Sequence, residues 1–430
     1  MADLTRCRAC DSADLHCYLP LGDHPAANAF VRAANRATPD RLYPLNTIAC
    51  LACGLIQVAD PLPPDFYVDY VYVPSASATM PVHFRALAKR FRSELITGEG
   101  QVVMDIGCND GLLLAACIDE GMAVLGIDPS TNITDLARAK GVAVVNEYFT
   151  AASARRIRDQ HGPAQVIVTT NTLNHIDNLH GFMEGVAHLL APDGTFVIEA
   201  PQALTCITLN EFDTVYHEHL SVFSAASVAA LGKAVGLRIT DLEELPIHGG
   251  SMRFYLRRDG QPPAAGAAFL EPPAAGAASL EPSAAVAAFL QREVAAGLFE
   301  RQTYDAHVLR VEAIRAELMR LLAGLKAAGK SIAGYGAPAK GNTLLNYYGI
   351  GPEMLDFIAD RNALKQGRLT PGSRIPVVSP DRIAQDRPDY LLMLAWNFRD
   401  EILDQQRDYL AAGGRFIVPI PAVEIIGAAG

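Results

Sequence analysis

The sequence predicts an α/β fold in which two doubly wound domains follow a small N-terminal domain. Two stretches, 101–199 and 331–419, alternate short apolar runs with segments of helical periodicity. That alternation is typical of parallel sheets with helices on both faces. Residues 1–80 are instead rich in Cys, Pro and Tyr and only weakly periodic. Such a segment indicates a small domain that something other than a large apolar core holds together.

The first alternating series predicts the elements of the central domain. Its strands are expected at 101–106, 123–127, 142–145, 165–170 and 195–199, with two later strands at 237–242 and 252–256. Its helices are expected at 84–97, 112–119, 131–140 and 151–160. A Pro-Asp-Gly turn at 192–194 is expected to precede the strand at 195–199.

A Pro/Ala repeat separates the two series. The segments 262–271 and 272–281 are nearly identical, and 282–291 is a degenerate third copy. The first two copies have little side chain to bury, so we expect an exposed linker there. The third copy is expected to run into a long helix that ends near Leu325. The second series then predicts strands at 331–335, 355–360, 375–379, 390–394 and 415–419.

Composition and charge restrict the class of function. The 430 residues carry a formal net charge of −11, whereas a broad surface for nucleic acid or anionic membrane needs concentrated positive charge. The N-terminal segment lacks the apolar core of a signal peptide, and no apolar run is long enough to span a membrane. We therefore expect a cytoplasmic protein with reduced thiols and without a nucleic-acid or membrane partner.

Four of the eight cysteines form two Cys-x-x-Cys pairs, Cys7 with Cys10 and Cys50 with Cys53. Each pair can direct two thiolates at one point, and two pairs can hold a tetrahedral zinc ion. Two disulfides are the alternative, which no secretion signal supports. Four thiolates leave no open coordination position, so this zinc is predicted to be structural. The other four cysteines fit no second pattern of this kind and are expected to be packing residues.

The loop after the first strand of the central domain predicts a cofactor site. Asp105 ends that strand, where ligands bind in open α/β sheets, and Gly107 and Gly111 follow it. An acid in place of the first glycine of a dinucleotide fingerprint suits a positively charged amino-acid group better than a pyrophosphate. Asp128 follows at the separation at which an acid reaches a ribose diol. This pattern favours S-adenosylmethionine over a nicotinamide cofactor. A generic βαβ unit with helix-capping acids is the alternative.

The predicted cofactor-binding residues are Asp105, Gly107, Asn109, Gly111, Asp128, Pro129 and Asn171.

The densest cluster of ionisable side chains is Tyr216-His217-Glu218-His219, which follows the fourth strand of the central domain. Histidine moves protons near neutral pH, a nearby Glu can orient it, and Tyr can donate to a developing oxyanion. A metal-ligand pair or a structural ion cluster would be the alternative. His175 follows the third strand and is expected at the same sheet edge, where it is either a site residue or an ordinary polar turn residue.

These residues together resemble the sugar C-methyltransferases that act on nucleotide-linked ketosugars in antibiotic pathways. The resemblance spans nearly the whole chain, from the two Cys-x-x-Cys pairs through the cofactor loop and the Tyr-His-Glu-His cluster to Gly334–Asn342, which reads GYGAPAKGN. The Pro/Ala repeat is not part of it.

The family resemblance implies a methyltransferase domain with a Rossmann-like fold, flanked by a zinc-binding domain and a second Rossmann-like α/β domain. It divides the chain into a zinc-binding and lid domain at 1–80, a cofactor domain at 81–257, a linker and helix start at 258–300, and a C-terminal domain at 301–430. The two outer domains are expected to close around the sugar nucleotide.

The resemblance also implies roles for individual residues. His219 would be the general base and Glu218 its partner, while Tyr216 and His175 would line the sugar pocket. Tyr67, Tyr70 and Tyr72 resemble a loop that covers the sugar, with Tyr70 favoured as the catalytic tyrosine. The expected substrate-binding residues are Tyr72, Tyr335, Lys340 and Asn342. Glycines and a lysine at 334–342 suit a phosphate, although an ordinary strand-to-helix turn is the alternative.

The expected reaction is methylation of a carbon next to the ketone of a 4-keto-deoxysugar, most simply one linked to dTDP. A ketone makes the neighbouring C–H removable, so a base forms an enolate that takes the methyl group. The alternatives are the same chemistry on a non-sugar aldehyde or ketone, O- or N-methylation of a sugar, and a non-catalytic sugar-nucleotide-binding protein.

Overall fold

A computed structural model describes residues 4–62, 75, 79–247, 249–260 and 283–427. Tyr67, Tyr70 and Tyr72 lie outside the described residues, as do the first two copies of the Pro/Ala repeat. The predicted α/β class is confirmed by two largely parallel sheets with helices against them. None of the helices in these ranges combines the length and the apolar character that crossing a bilayer requires.

The N-terminal sheet combines residues from two distant parts of the chain. Its strands are β1 (Leu15–Pro25), β3 (Leu42–Cys50), β4 (Ile56–Val58) and β10 (Ser221–Val222), in that order. All neighbouring strands are antiparallel, and β10 pairs with β4 through Ser221 with Gln57 and Val222 with Ile56. The short strand β2 (Val31–Arg32) pairs with β15 (Arg368–Leu369) of the C-terminal part. The N-terminal lobe is therefore attached to both other parts of the molecule.

The central sheet has the order β11-β12-β9-β8-β5-β6-β7, with β5 to β9 parallel and the other two antiparallel. Its strands are β5 (Val102–Ile106), β6 (Ala123–Ile127), β7 (Val144–Val145), β8 (Ala164–Thr170), β9 (Leu190–Pro201), β11 (Leu237–Leu245) and β12 (Ser251–Arg258). Its helices are α1 (Thr79–Arg90), α2 (Leu112–Asp119), α3 (Thr131–Ala139), α4 (Ala151–His161), α5 (Leu179–Leu189), α6 (Ala203–Thr208) and α7 (Ala225–Ala234). The five parallel strands are predicted well because buried apolar runs carry a strong signal.

Two predictions for this sheet were wrong in detail. Strand β9 runs through the expected Pro-Asp-Gly turn, because the pairing shifts register between Ala164 and Val166 and takes up the extra residues as a bulge. Gly194 fits there because a Cβ atom would lie 3.0 Å from the carbonyl oxygen of Ala164. The first helix begins at Thr79 and ends in a π-helical turn, Phe91–Leu95, so the predicted helix at 84–97 starts too late.

The long helix predicted after the repeat is two helices, α8 (Ala284–Ala295) and α9 (Arg301–Ala327). Gly297 has a φ of +70° and ends the first of them in the left-handed conformation that favours glycine. Glu293 fixes α8 in place, because its buried carboxylate accepts the backbone N–H groups of Ala225 at 2.6 Å and Ala226 at 3.2 Å. The break therefore turns the chain from the central domain toward the C-terminal domain.

The C-terminal sheet has the order β16-β14-β13-β17-β18-β19 and is parallel except for its last strand. Its strands are β13 (Ile332–Tyr335), β14 (Ile358–Ala359), β16 (Val377–Val378), β17 (Tyr390–Met393), β18 (Arg415–Val418) and β19 (Glu424–Ile426). Its helices are α10 (Ala339–Tyr348), α11 (Asp381–Asp386), α12 (Arg399–Gln405) and α13 (Arg407–Ala411). One hydrophobic core contains Tyr18 of the N-terminal lobe, Phe212 of the central domain and Leu344 of α10. The three parts pack together, and the candidate site lies between them.

Candidate active site

The four cysteine sulfurs of the two Cys-x-x-Cys pairs lie within 4.8 Å of one another. Cys7 and Cys53 have their Sγ atoms 3.6 Å apart, as have Cys10 and Cys50. Tetrahedral zinc with Zn–S bonds of about 2.3 Å separates its sulfurs by about 3.8 Å, so these positions suit the ion. The predicted structural zinc site is therefore confirmed in its ligands and their arrangement.

Two matching turns hold the cysteines. The backbone N–H of Asp11 donates to the Cys7 carbonyl at 3.0 Å, and that of Gly54 donates to the Cys50 carbonyl at 2.7 Å. Asp11 and Gly54 both have positive φ angles, 59° and 71°, which close each turn directly after its second cysteine. The pairing of β1 with β3, which sets Leu15 opposite Cys50, brings the two turns together, so that Cys7 and Cys53 meet across 46 residues of chain.

A cavity of about 310 Å³ lies at the carboxyl edge of the central sheet. The loops after β5, β6 and β8 form one side of it, Tyr216 and His219 close another, and Asn28 and Lys340 reach it from the two outer parts. Six of the seven predicted cofactor-binding residues lie at the first two loops and five of these line the cavity, as does Asn171 of the third loop. The structure thus places predicted cofactor and catalytic residues around one space, as ligand binding at the carboxyl ends of strands requires.

Asp105 is the clearest cofactor-binding group in this cavity. Its side chain is buried, and its Oδ1 atom accepts no hydrogen bond from any described residue. Burial, and then the nearby Asp128, raise the pKa of the Asp105 carboxyl to about 8. A buried carboxyl with an unsatisfied oxygen is stabilised by a cationic ligand. The residue therefore fits the positively charged amino-acid portion of S-adenosylmethionine.

Asp128 directly follows β6 and faces the same cavity. Its Oδ2 accepts the backbone N–H of Asn109 at 3.0 Å, and its Oδ1 accepts that of Ser130 at 2.8 Å. Burial raises the pKa of this carboxyl, and those two N–H groups oppose the shift. The hydrogen bonds hold the carboxylate at the cavity wall, where its remaining lone pairs suit a diol.

The two glycines of the cofactor loop differ in what they do. Gly107 lines the cavity with a φ of +81°, and a Cβ atom there would lie 2.7 Å from the Cβ atom of Thr172. Gly111 starts α2 behind the cavity wall with a φ of +72°, and a Cβ atom there would lie 2.8 Å from the Cβ atom of Ala137. The expected approach of Gly111 to the cofactor is therefore wrong, since this glycine serves the packing of α2 on α3. Asn109, Pro129 and Asn171 all line the cavity.

We expect the affinity for S-adenosylmethionine to rise about tenfold between pH 6.5 and 8, because a cationic ligand binds the ionised form of Asp105. The pKa of about 8 keeps this carboxyl protonated at pH 6.5. Asp105→Asn should lose this pH dependence and bind about 10- to 100-fold more weakly at pH 8. Calorimetric titration measures both effects, with Asp119→Asn, an exposed acid at the end of α2, as the control. Equal affinity of Asp105→Asn and the wild type at pH 8 would contradict this assignment.

His219 is held in one tautomer. Its Nδ1 atom lies 3.1 Å from the carbonyl oxygen of Thr214, which can only accept, so Nδ1 carries the proton. Its Nε2 atom is then the basic nitrogen and accepts the hydroxyl of Tyr216 at 2.5 Å. The two rings stack with centroids 4.0 Å apart, and both residues line the cavity. A fixed imidazole with its basic nitrogen on the cavity side is suited to general-base chemistry.

Glu218 contacts the N-terminal lobe. Its carboxylate accepts the backbone N–H of Asn28 at 3.2 Å and the side-chain amide of Asn28 at 2.7 Å. The ring nitrogens of His219 bond Thr214 and Tyr216, so the role of Glu218 as partner of the base stays a prediction. Glu218 anchors the loop 26–30 of the N-terminal lobe beside the base.

The other two histidines near the base have separate surroundings. His217 points away from the cavity and donates to the carbonyl oxygens of Tyr43 and Pro44, both at 3.1 Å, and burial lowers the pKa of its imidazole to about 4. His175 lines the cavity with its ring edge-on to that of His219, with centroids 5.0 Å apart. Desolvation lowers the pKa of His175 to about 4 as well, so it is a neutral hydrogen-bonding group at neutral pH.

The predicted substrate-binding residues of the C-terminal domain separate into two groups. Lys340 lines the cavity, with its Nζ atom 3.7 Å from Glu211 Oε2 and 4.7 Å from the centre of the Trp396 ring. Tyr335 is buried in the sheet with its hydroxyl 3.2 Å from Gln405 Oε1, and the amide of Asn342 donates to the carbonyl of Ala27 at 2.7 Å. Both side chains thus have partners inside the protein, although Asn342 Oδ1 accepts no hydrogen bond from a described residue, and the substrate contacts of Tyr335 and Asn342 stay predictions.

Sequence reasoning missed several residues of the cavity, among them Asn28 and Lys365 from the two outer parts. Asn28 lies in a loop with no motif, and Lys365 lies in the loop after β14. Neither position carries a local pattern, because each becomes part of the site only through contacts between distant segments.

Comparison with known proteins gives three consecutive family matches. A zinc binding domain profile matches residues 7–66, a methyltransferase domain profile matches 82–242, and a C-methyltransferase C-terminal domain profile matches 246–421. The C-methyltransferase NovU of Streptomyces niveus is 36% identical over 433 residues, which cover 100% of this chain and 99% of that protein.

More distant likenesses cover a smaller share of the chain. A ubiquinone biosynthesis O-methyltransferase of Xylella fastidiosa is 26% identical over 177 residues, which cover 38% of this chain and 70% of that protein. The crystal structure of an S-adenosylmethionine-dependent methyltransferase from Archaeoglobus fulgidus aligns with 39% of this chain and 70% of its own, at 18% identity and a TM-score of 0.32.

The fold and the cavity, together with the matched profiles, define an S-adenosylmethionine-dependent methyltransferase with a structural zinc site. The likeness to a C-methyltransferase extends over the whole chain, including the domain that follows the cofactor domain. The chain belongs to the sugar C-methyltransferase family.

Proposed function

We propose that this C-methyltransferase methylates the carbon next to the ketone of a nucleotide-linked 4-keto-deoxysugar, with dTDP as the nucleotide, in the cytoplasm and for antibiotic sugar biosynthesis. The observation that carries the proposal is the hydrogen bond between Tyr216 and His219 Nε2, which faces the cavity that Asp105 and Asp128 also line. A carbon nucleophile needs such a base, because its proton must be removed before it can react.

S-adenosylmethionine, when bound by Asp105, Asp128 and the loops around them, supplies the methyl group. His219 performs the proton transfer: Nε2 takes the proton of the acceptor C–H, and the bonding electrons pass into the enolate. Because Nδ1 keeps its proton and donates it to the Thr214 carbonyl, the imidazolium that forms remains oriented and hydrogen-bonded.

The hydroxyl of Tyr216 has a second use in this scheme. When the acceptor binds, its ketone oxygen takes the hydrogen bond of the Tyr216 hydroxyl, which frees the lone pair of Nε2 for the C–H proton. The same hydroxyl then donates to the enolate oxygen that forms. His175, neutral at neutral pH, hydrogen-bonds the backbone of Glu218 and Asn171, so its single N–H is already used and it shapes the pocket beside the base. The Tyr216 hydroxyl supports the negative charge at the moment it develops, which is where such a donor lowers the barrier.

The test is incubation of the enzyme with labelled S-adenosylmethionine and a panel of nucleotide-linked 4-ketosugars, with a non-sugar aldehyde and a sugar lacking the ketone for comparison. We expect label only in the ketosugars, and NMR should place the new methyl on the carbon next to the ketone. Solvent deuterium should also enter that carbon. Label on oxygen or nitrogen, or turnover of the aldehyde alone, would contradict the proposal.

A further inference from the structure

Lys365 lines the cavity from the loop that follows β14, at the carboxyl edge of the C-terminal sheet. Only 6% of this residue is exposed to solvent. Its Nζ atom donates to the carbonyl oxygen of Ala337 at 2.7 Å and lies 5.0 Å from the centre of the Phe30 ring. The ammonium group is therefore fixed between the glycine-rich loop and the N-terminal lobe.

No carboxylate of the described residues lies within 4.0 Å of this ammonium group. The two acids that act on it through space, Asp360 and Glu218, are bonded elsewhere. Asp360 accepts the backbone N–H groups of Ala337 at 2.6 Å and Asn362 at 2.7 Å, and Glu218 accepts from Asn28. Lys365 is thus a buried cation without an ion pair, and burying such a charge is costly unless a partner is supplied.

Lys340 differs from Lys365 in this respect. Its Nζ atom lies 3.7 Å from a carboxylate oxygen of Glu211. Burial raises the pKa of Glu211 to about 7, while the charge of Lys340 lowers that pKa and the charge of Asp213 raises it. The charge of Lys340 is therefore already used by the acids of the 211–213 turn. The lysine that a ligand can still neutralise is Lys365.

We propose that Lys365 binds the diphosphate of the acceptor in the ground state, so that this residue, and not Lys340, is the main phosphate-binding cation of the enzyme. One N–H of the ammonium group is used by Ala337, which leaves two for phosphate oxygens. The glycine-rich loop beside it lets backbone approach the same group, with Gly336 at a φ of +80°. In the proposed reaction Tyr216 donates to the enolate oxygen, which leaves the phosphate groups of the acceptor as the anion for Lys365. This inference rests on the nucleotide-linked acceptor of the proposed function.

The test uses dTDP and thymidine as probes in calorimetric titrations of the wild type, Lys365→Met and Lys365→Arg. We expect Lys365→Met to bind dTDP about 10- to 100-fold more weakly, because a charge-assisted hydrogen bond is lost, while its affinity for thymidine stays within about twofold. Lys365→Arg keeps the charge and should recover part of the dTDP affinity. S-adenosylmethionine affinity should be unchanged in both variants.

Stability provides a second readout that a structural lysine would not give. Without ligand, Lys365→Met should melt close to the wild-type temperature, since the removal of an unpaired buried charge offsets the loss of the hydrogen bond to the Ala337 carbonyl. With dTDP, its melting temperature should rise much less than that of the wild type. A lower melting temperature without ligand would make Lys365 a structural residue and overturn the proposal.

Two other outcomes would overturn it. In the first, Lys365→Met binds dTDP as tightly as the wild type, but its rate of deuterium exchange at saturating acceptor is tenfold lower. That combination would place Lys365 at the enolate. If the wild type binds dTDP no better than thymidine, the proposal that the acceptor is linked to a nucleotide is wrong. This result is distinguishable from a failure of the Lys365 proposal, because it is seen in the wild type without any substitution.

Discussion

Replacing His219 with Asn should lower the rate of methyl transfer by at least about 100-fold at saturating acceptor and cofactor, because a positioned general base is worth about 10² to 10⁴ in rate. The effect should be on the chemical step. Asp105 and Asp128 stay in place, so the affinity for S-adenosylmethionine should remain within about threefold of the wild type. Single-turnover measurements with labelled S-adenosylmethionine give the rate, and calorimetry gives the affinity.

Three comparisons make this result specific to the base. His161→Asn alters an exposed histidine at the end of α4 and should leave the rate unchanged. Tyr216→Phe keeps the ring stacked on His219 but removes the hydroxyl that bonds Nε2, so it should lose less than His219→Asn. Deuterium exchange at the acceptor carbon should fall in parallel with methyl transfer in His219→Asn. Near-wild-type exchange in that variant would assign proton removal to another group.

The parts of this molecule that could be predicted from sequence are those with local signals. Strands β5, β6 and β8 are buried apolar runs, and both cysteine pairs are visible as spacing. Asp105 and Asp128 could be found because each follows such a strand directly. Parallel sheets bring all these strand ends to one edge, so fold class and cofactor site follow together.

The parts that could not be predicted depend on backbone atoms and on distant contacts. The group that orients His219 is the backbone carbonyl of Thr214. Every residue has a backbone carbonyl, so the residue type at position 214 does not indicate this role. Glu218 bonds Asn28, which is 190 residues away in the chain. The same holds for Lys365, whose lack of an ion pair becomes apparent only when every neighbouring acid has been placed.

Removal of the zinc ion should abolish catalysis, although the ion is not at the cavity. The strand β4, which follows Cys53, pairs with β10, and β10 begins two residues after His219. The backbone N–H of Val58 donates to the carbonyl of Leu220 at 3.0 Å, and the hydroxyl of Ser224 donates to the carbonyl of Cys53 at 2.5 Å. The zinc lobe therefore holds the segment that carries the base.

The energies involved make this effect large. Structural zinc binds with an apparent free energy of about 10–16 kcal/mol, which is comparable to the whole stability of a domain at about 5–15 kcal/mol. Cys50→Ser should therefore lower the melting temperature by about 10 °C or more and reduce methyl transfer by more than about 100-fold. Cys17→Ser, which changes an exposed cysteine of β1 outside the cluster, should leave zinc content, melting temperature and rate as in the wild type.

Metal analysis, thermal melting and single-turnover rates on the same samples separate the possible roles of the ion. Chelation of the wild type should remove zinc and activity together, and added zinc should restore both if the lobe refolds around its four thiolates. Because β10 joins the lobe to the base, rate and zinc content should fall in proportion across partly depleted samples. A zinc-free Cys50→Ser protein with wild-type turnover would show that His219 is positioned without the lobe, and the coupling drawn from β4 and β10 would then be wrong.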